Sequence, residues 1–534
     1  MTWATATTWK TRECMKFAGK SVYRLPKVMR SEVIKSYLGN YKTDYKSANL
    51  SLVKLNNIID KNSLDNQPLR DHFDEDRLKE IASEKVDIVK MLTAHCYVYA
   101  DKFETVKSYI ENIGITICEK LLKQPQALVV RALDIDWWRR QLRKVTSRSA
   151  EELALNYGLV HKGASIYCSD FAVARYRAMK KRNRTMMENT ILSNENGDEF
   201  TLQELADKTT ANPVIRRGEL MTRLRGFEEY AKYTGQAALF FTVTAPSRYH
   251  TRSSKFTGET PRDTQSYLNG VWARIRAKLA REEIDIFGFR IAEPHHDGTP
   301  HQHSLLFVAP EKQSRLVQIF NQYALAESPK EKGAFKHRLT VEFIDRRKGS
   351  AAAYIAKYIS KNIDGFGVDN DLYGFDAASS AERITAWASL WGIRQFQQIG
   401  GIPVTIWRTL RRIETPFEDE QAEAARKYAD SGEWGLFTRH CAAASLSLYK
   451  VLPDTTNRYG EESEAIVLGV ICGITGEIGL KVLHDWEPRQ RPWTRVNNCT
   501  QKLNYLEETN NRLEKAGFGL PPPTKKEFFN EPLH

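Results

Sequence analysis

Four of the chain's 12 histidines fall between positions 295 and 303, in the stretch Glu293-Pro294-His295-His296-Asp297-Gly298-Thr299-Pro300-His301-Gln302-His303. Strand-like runs flank it, Ile284 to Ala292 before and Ser304 to Val308 after. Asp297-Gly298 is a turn signal and Pro300 can begin the returning strand, so the stretch reads as a hairpin. Residues two apart on a strand project to one face, so His301 and His303 offer neighbouring imidazoles to one surface. Such a pair can chelate a divalent cation, with Glu293 or His295 as third ligand. Paired histidines on a strand are also common as plain polar surface, and a second stretch bears on the choice. Tyr354-Ile355-Ala356-Lys357-Tyr358-Ile359-Ser360-Lys361 follows three alanines and contains neither Gly nor Pro, which predicts a helix. Tyr354 and Tyr358 are about 40° apart around that helix and share a face, and each is followed three residues later by a lysine, Lys357 and Lys361. Two tyrosine nucleophiles, cations to offset phosphate charge and a metal to polarise a phosphoryl oxygen are the parts of phosphodiester chemistry.

The order of a strand at Phe240 to Pro246, a Pro-His-Gln-His hairpin and a doubled Tyr-x-x-Lys helix resembles the three motifs of the HUH endonucleases. It is most similar to the replication gene A proteins of tailed phages, which start rolling-circle replication. The similarity extends outward through Asn212 to Tyr230 and to Pro492 to Asn498. One departure is Gln302, where the wider superfamily usually carries a bulky apolar residue; its side chain is expected to face away from the metal. The resemblance implies magnesium or manganese at His301 and His303, with Glu293 the preferred third ligand and His295 the other option. Affinity alone would favour zinc or manganese at two imidazoles. It also implies that Tyr354 or Tyr358 attacks the scissile phosphate, leaving a 5′-phosphotyrosyl bond and a free 3′-hydroxyl, and that the other tyrosine later cleaves the regenerated origin. Lys357 and Lys361 would favour the phenolate. The implied substrate is a single-stranded origin region in supercoiled circular phage DNA, in the host bacterial cytoplasm. No nucleotide-binding P-loop occurs in the sequence, which points to a host helicase, and a host polymerase would extend the 3′ end. A relaxase-like or transposase-like strand transferase and a non-catalytic single-stranded nucleic-acid-binding protein are the competing readings.

The elements that must hold these residues come in the order strand (Ala238 to Thr244), helix (Thr264 to Ala280), two hairpin strands, helix (Glu311 to Ala324), strand (Arg338 to Ile344) and tyrosine helix. Alternation sends Phe241 and Val243 to one face of the first strand and Thr242 and Thr244 to the other. The expected class is α+β: a central antiparallel sheet with helices on one face, a ferredoxin-like or RRM-like HUH nuclease core. Mainly helical N-terminal and mixed C-terminal regions flank it, giving expected domains at 1–226, 227–366 and 367–534. In the N-terminal region, Arg77 to about Lys123 has helical periodicity. Arg177, Lys180, Lys181, Arg182 and Arg184 form a basic run suited to DNA, and Trp137-Trp138 begins an aromatic-basic cluster able to stack on bases. Thr201 to Glu204 matches a capping box. Farther on, Trp407, Arg408, Arg411 and Arg412 make another aromatic-basic patch. Ala465 to Ile471 and Leu480 to Asp485 read as a hairpin, and Pro521-Pro522-Pro523 as a stiff tail.

Composition agrees with a soluble DNA-binding protein. Seventy-nine Lys and Arg against 66 Asp and Glu give a formal charge of +13, which favours a polyanionic partner. The seven scattered cysteines include no C-x-x-C pair, so neither a disulfide framework nor a zinc ribbon is expected. Met1 to Lys10 lacks the form of a secretory signal, and the longest apolar run, Ala465 to Ile474, is far short of the ~20 residues that cross a bilayer, so no membrane is expected.

Overall fold

The computed structural model describes residues 9–490 apart from 26, 62–74, 97, 346, 348, 368–373 and 375. The stretches Met1 to Thr8, Pro492 to Asn498 and Pro521 to Pro523 lie outside the described residues. These residues form two compact units, one of 9–182 with 207–483 and one of 183–206 with 484–490.

In the larger unit, five antiparallel strands make the sheet that carries the histidines, in the order Leu339–Phe343, Ala237–Thr244, Pro300–Val308, Phe287–Pro294, Phe396–Ile399. The chain is therefore α+β. Helices cover the sheet on both faces, not on one. On one face Phe240, Phe289, Leu305 and Phe307 pack with Leu220, Leu224 and Phe227 of the helix Pro213–Tyr233 and with Ile355 and Ile359 of the tyrosine helix, Ala351–Ile363. On the other, Leu239, Phe241, Val243 and Leu306 pack with Leu268, Val271 and Trp272 of the helix Pro261–Arg281 and with Leu316 and Phe320 of Gln313–Ala324. Every residue of Pro300–Val308 is buried. A strand enclosed on both sides loses the polar alternation that marks one wet face, and here that position is taken by the histidines and Gln302.

The helix Pro261–Arg281 starts three residues earlier than its apolar pattern, because Thr260 and Asp263 form a reciprocal capping box around Pro261. The N-terminal helices Glu75–Ala94, Tyr99–Asn112, Pro125–Ala132 and Ile135–Asn156 enclose a core of their own. Trp137 and Trp138 belong to that core, 5% and 0% exposed and edge-to-face at 5.0 Å, so they are not a surface for bases. Trp407 is likewise buried, and Arg408 pairs with Glu219. The expected C-terminal hairpin forms between Ile466–Ile471 and Ile478–Leu480, with Ser447–Val451 on the other side. Its second strand is Ile478–Leu480, not Leu480 to Asp485. It starts earlier because the turn is tight: Cys472 N–H donates to Glu477 O and Gly476 N–H to Cys472 O, both at 2.9 Å.

The smaller unit has a three-stranded antiparallel sheet in the order Glu487–Gln490, Thr190–Ser193, Glu199–Thr201. The capping box is present, with Thr201 N–H 2.7 Å from Glu204 Oε2 and Glu204 N–H 3.1 Å from Thr201 Oγ1. No helix among the described residues is long and apolar enough to cross a membrane.

Candidate active site

The hairpin joins Phe287–Pro294 to Pro300–Val308 with Pro294 opposite Pro300. His295 N–H donates to Thr299 O (2.8 Å), Gly298 N–H to His295 O (2.9 Å) and Thr299 N–H to Asp297 Oδ1 (3.0 Å), which closes the turn. Gly298 has φ +82°, and a Cβ there would stand 3.0 Å from Tyr167 O, so the turn needs glycine. The tip is held from outside by Trp387, whose indole N–H donates to Gly298 O at 2.9 Å.

Register does the rest. Glu293 and Thr244 flank His301, and Ile291 and Thr242 flank His303. Glu293, His301 and His303 are buried, and one ligand atom from each lies within 4.8 Å of the others. Thr242 Oγ1 lies 2.9 Å from His303 Nδ1, which turns Nε2 of that ring toward Glu293 Oε2 at 3.4 Å. Lys361 donates to Glu293 Oε1, leaving Oε2 facing the imidazoles. His301 Nδ1, His303 Nε2 and Glu293 Oε2 are buried without a hydrogen-bond partner. Three orphaned donor atoms of nitrogen and carboxylate type are what a divalent cation would satisfy, so the residues fit one. Burial opposes ionisation of Glu293, but His303 and Lys361 hold it below the usual carboxylate range. Burial and the neighbouring imidazoles hold His301 neutral, which is the ligating form. His295 stacks on His301 with ring centroids 4.0 Å apart, and burial followed by His250 brings it down to about 4. It is not in the Glu293, His301, His303 group.

The tyrosine helix lies over this group. The Tyr358 ring is 4.3 Å from the His303 ring and 5.7 Å from Phe240, and Tyr354 packs on Phe240 at 6.0 Å with 42% of its surface exposed. Burial first, then the carboxylates of Glu293 and Glu342, push the Tyr358 phenol up to about 12. The two lysines part company: Lys357 is exposed, whereas Lys361 is buried against Glu293. Gln302 faces the opposite side, as expected, with Oε1 3.4 Å from Arg290 Nη1.

Sequence reading missed the element that fixes the helix. Glu228, buried on Pro213–Tyr233, accepts from the N–H groups of Ala351 (3.2 Å) and Ala352 (3.0 Å) and from the Ser350 hydroxyl. Those are orphan donors of the helix N-terminus, which favours negative charge. At the other end Arg217 of the same helix pairs with Asp364 and lies over the Phe366 ring at 3.9 Å. One helix thus grips both ends of the tyrosine helix. A glutamate inside the run Phe227-Glu228-Glu229-Tyr230 carries no sequence mark that it is the buried one.

The basic run sits on the helix Asp170–Asn189. Arg177 pairs with Glu382, Arg182 approaches Glu75 at 3.4 Å, Arg184 pairs with Glu188, Lys180 lies over the Tyr176 ring, and Lys181 is exposed. None of these five is among the residues gathered at the histidine group. Against known families, the profile described as Bacteriophage replication gene A protein (GPA) matches residues 70–366, more than half of the chain and all of the residues at the histidine group. The chain belongs to this family. Among its members, the replication gene A protein of Escherichia phage 186 is 44% identical over 63% of this chain and 52% of its own length. The probable replication protein P12 of Pseudoalteromonas phage PM2 is 35% identical over 76% and 66%. A probable replication endonuclease from a prophage-like region of Salmonella paratyphi A is 35% identical over 74% and 54%. The chain spans roughly half to two thirds of the length of these relatives. No solved structure matches it.

Proposed function

We propose that this chain is a site- and strand-specific DNA endonuclease and strand transferase that nicks a phage origin and rejoins its ends, starting and ending rolling-circle replication. The observation that carries the reading is the buried Glu293, His301, His303 group beneath a helix that sets Tyr358 against His303 and Tyr354 one turn away. The five-stranded sheet is read as the HUH nuclease core. Its working unit takes in the helix Pro213–Tyr233 and the strand Phe396–Ile399 beside residues 227–366, between a helical DNA-binding region and a C-terminal accessory region.

His301, His303 and Glu293 would hold magnesium or manganese, whose positive charge would polarise the scissile phosphate. Thr242 and Lys361 keep two of those ligands aimed, through the far nitrogen of His303 and the far oxygen of Glu293. Tyr358 Oη attacks phosphorus in line: the Oη–P bond forms, the P–O3′ bond breaks, the phenol proton passes to solvent and the released 3′ oxygen takes one up. Tyr354 would repeat the step on the regenerated origin while the new 3′-hydroxyl attacks the first ester. Arg177, Lys180, Lys181, Arg182 and Arg184 would follow the DNA backbone. A host helicase and polymerase would separate and extend the strands.

The test is a denaturing gel of the chain with labelled single-stranded DNA spanning its own gene, with magnesium, with manganese and with chelator, for wild type, Tyr354→Phe, Tyr358→Phe and both together. A metal-dependent covalent adduct absent from the double variant is expected. Binding without an adduct under any condition would leave a non-catalytic binding protein.

A further inference from the structure

The tyrosine helix ends in a tightly fixed turn. Gly365 N–H donates to Ser360 O at 2.8 Å, and Gly365 takes φ +71°. A Cβ there would stand 2.7 Å from Ala377 C and Ala378 N, so the turn abuts the first residues of the helix Ala377–Trp391. The residue that this turn puts forward is Phe366. Its N–H donates to Asp364 Oδ1 at 3.3 Å, and Arg217, ion-paired with that same Asp364, holds its guanidinium 3.9 Å from the ring centroid. Phe366 is nevertheless 66% exposed, so the face turned away from Arg217 is open to solvent. A single exposed phenylalanine is ordinary surface. One backed by a paired arginine, on a turn that admits no side chain at the residue before it, is a ring held in place.

Two features name what the ring would take. The first is connectivity. The helix covers about 7.5 Å from Tyr358 to Ile363, and the three residues beyond reach at most about 11 Å further. Phe366 therefore stands within about 18 Å of the Tyr358 backbone, some five nucleotides at ~3.4 Å each. The second is what lies past the ring. The helix Ala377–Trp391, against which the turn rests, also meets the basic run: Glu382, about 7.5 Å along from Ala377, pairs with Arg177. Arg216, next to Arg217 in the chain, lies over the Phe396 ring at 5.5 Å and bears on the Tyr176 phenol, whose ring has Lys180 over it at 5.5 Å. Rings with cations beside them thus continue from the end of the tyrosine helix to the helix Asp170–Asn189. Single strands are held in this way, by bases stacked on rings while cations follow the backbone, and every base has a face to stack. We propose that Phe366 is a stacking platform for an unpaired base of single-stranded DNA, on the stretch between the scissile phosphate and the basic run. The inference rests on the nuclease reading for its substrate, but its test does not need cleavage.

Full-length chain in chelator would be titrated with a fluorescent oligothymidylate of about 16 nucleotides, and with a strand of the same length whose sugars carry no bases. Phe366→Ala is expected to weaken oligothymidylate binding by about fivefold to 150-fold, the range for one stacked base. Its affinity for the base-free strand and its salt slope should match wild type, because no phosphate contact is removed. Phe366→Leu, which keeps the apolar bulk without a π face, should lose as much as the alanine, and Phe366→Tyr should bind as wild type. Tyr233→Ala is the control: it removes a ring of similar exposure, 63%, with Arg439 4.6 Å away, at the far end of the helix Pro213–Tyr233. It should bind both strands as wild type. A loss of less than about twofold in Phe366→Ala and Phe366→Leu, an equal loss on the base-free strand, or an equal loss in Tyr233→Ala would each overturn the platform. The adduct assay on the same preparations separates the two readings. No adduct in wild type with the base-dependent loss intact removes the nuclease and keeps the platform; an adduct with no such loss removes only the platform.

Discussion

The Thr242 hydroxyl, 2.9 Å from His303 Nδ1, is the partner that decides which nitrogen of that ring faces Glu293. Such partners usually matter by 10–100-fold in metal affinity, so Thr242→Val is expected to weaken manganese binding by that factor in calorimetry, with the melting temperature little changed. Glu293→Gln should weaken it further, since it also leaves the buried Lys361 ammonium without its carboxylate. Of the tyrosines, Tyr358 touches the histidine group and Tyr354 is the exposed one, so Tyr358→Phe should remove most first-turnover adduct and Tyr354→Phe less than half. Much of this site was legible. The period of two put His301 and His303 on one face, and alternation put Thr242 beside them. The pairing of Lys361 was not legible: spacing offers it as a cation for phosphate or phenolate, and the carboxylate it reaches, Glu293, lies 68 positions away in the chain.

At the scale of elements, Glu228 is the sharpest test. Hydrogen bonds to a charged group are worth about 1.5–3 kcal/mol, so Glu228→Gln should lower stability by roughly 2 kcal/mol and slow joining, while leaving metal affinity near wild type. Burial alone would raise this carboxyl; Ser350, Ala352, Lys232 and Ala351 together bring it below its ordinary value of 4.5. A depressed carboxyl stabilises above the unfolded value and loses that contribution as pH falls through the folded one. The difference in melting temperature between wild type and Glu228→Gln should accordingly be full above pH 4.5 and shrink below it. Gly298→Ala would place a side chain in the left-handed region and against Tyr167 O, at a cost of about 1–2 kcal/mol read by denaturant melting. The strands and helices near the motifs followed their periodicity. The division of those helices between both faces and the edge strand Phe396–Ile399 did not announce themselves, because full burial erases alternation and four residues rich in glutamine give too short a pattern.

For the whole molecule, the sheet and its supports are gathered from Pro213 to Ile399. A fragment of residues 227–366 would lack Arg217, Trp387 and one edge strand, and is expected to show no cooperative calorimetric transition. The two-ended grip of Glu228 and Arg217 has a mechanical meaning for any reaction that uses both tyrosines. A helix pinned at each end neither rolls nor slides, so Tyr354 and Tyr358 are stations on a fixed rail, about 6 Å apart along its axis. In the proposed reaction the nucleophiles would then not be swapped by moving them. It is the DNA strand that would be shunted from one station to the next.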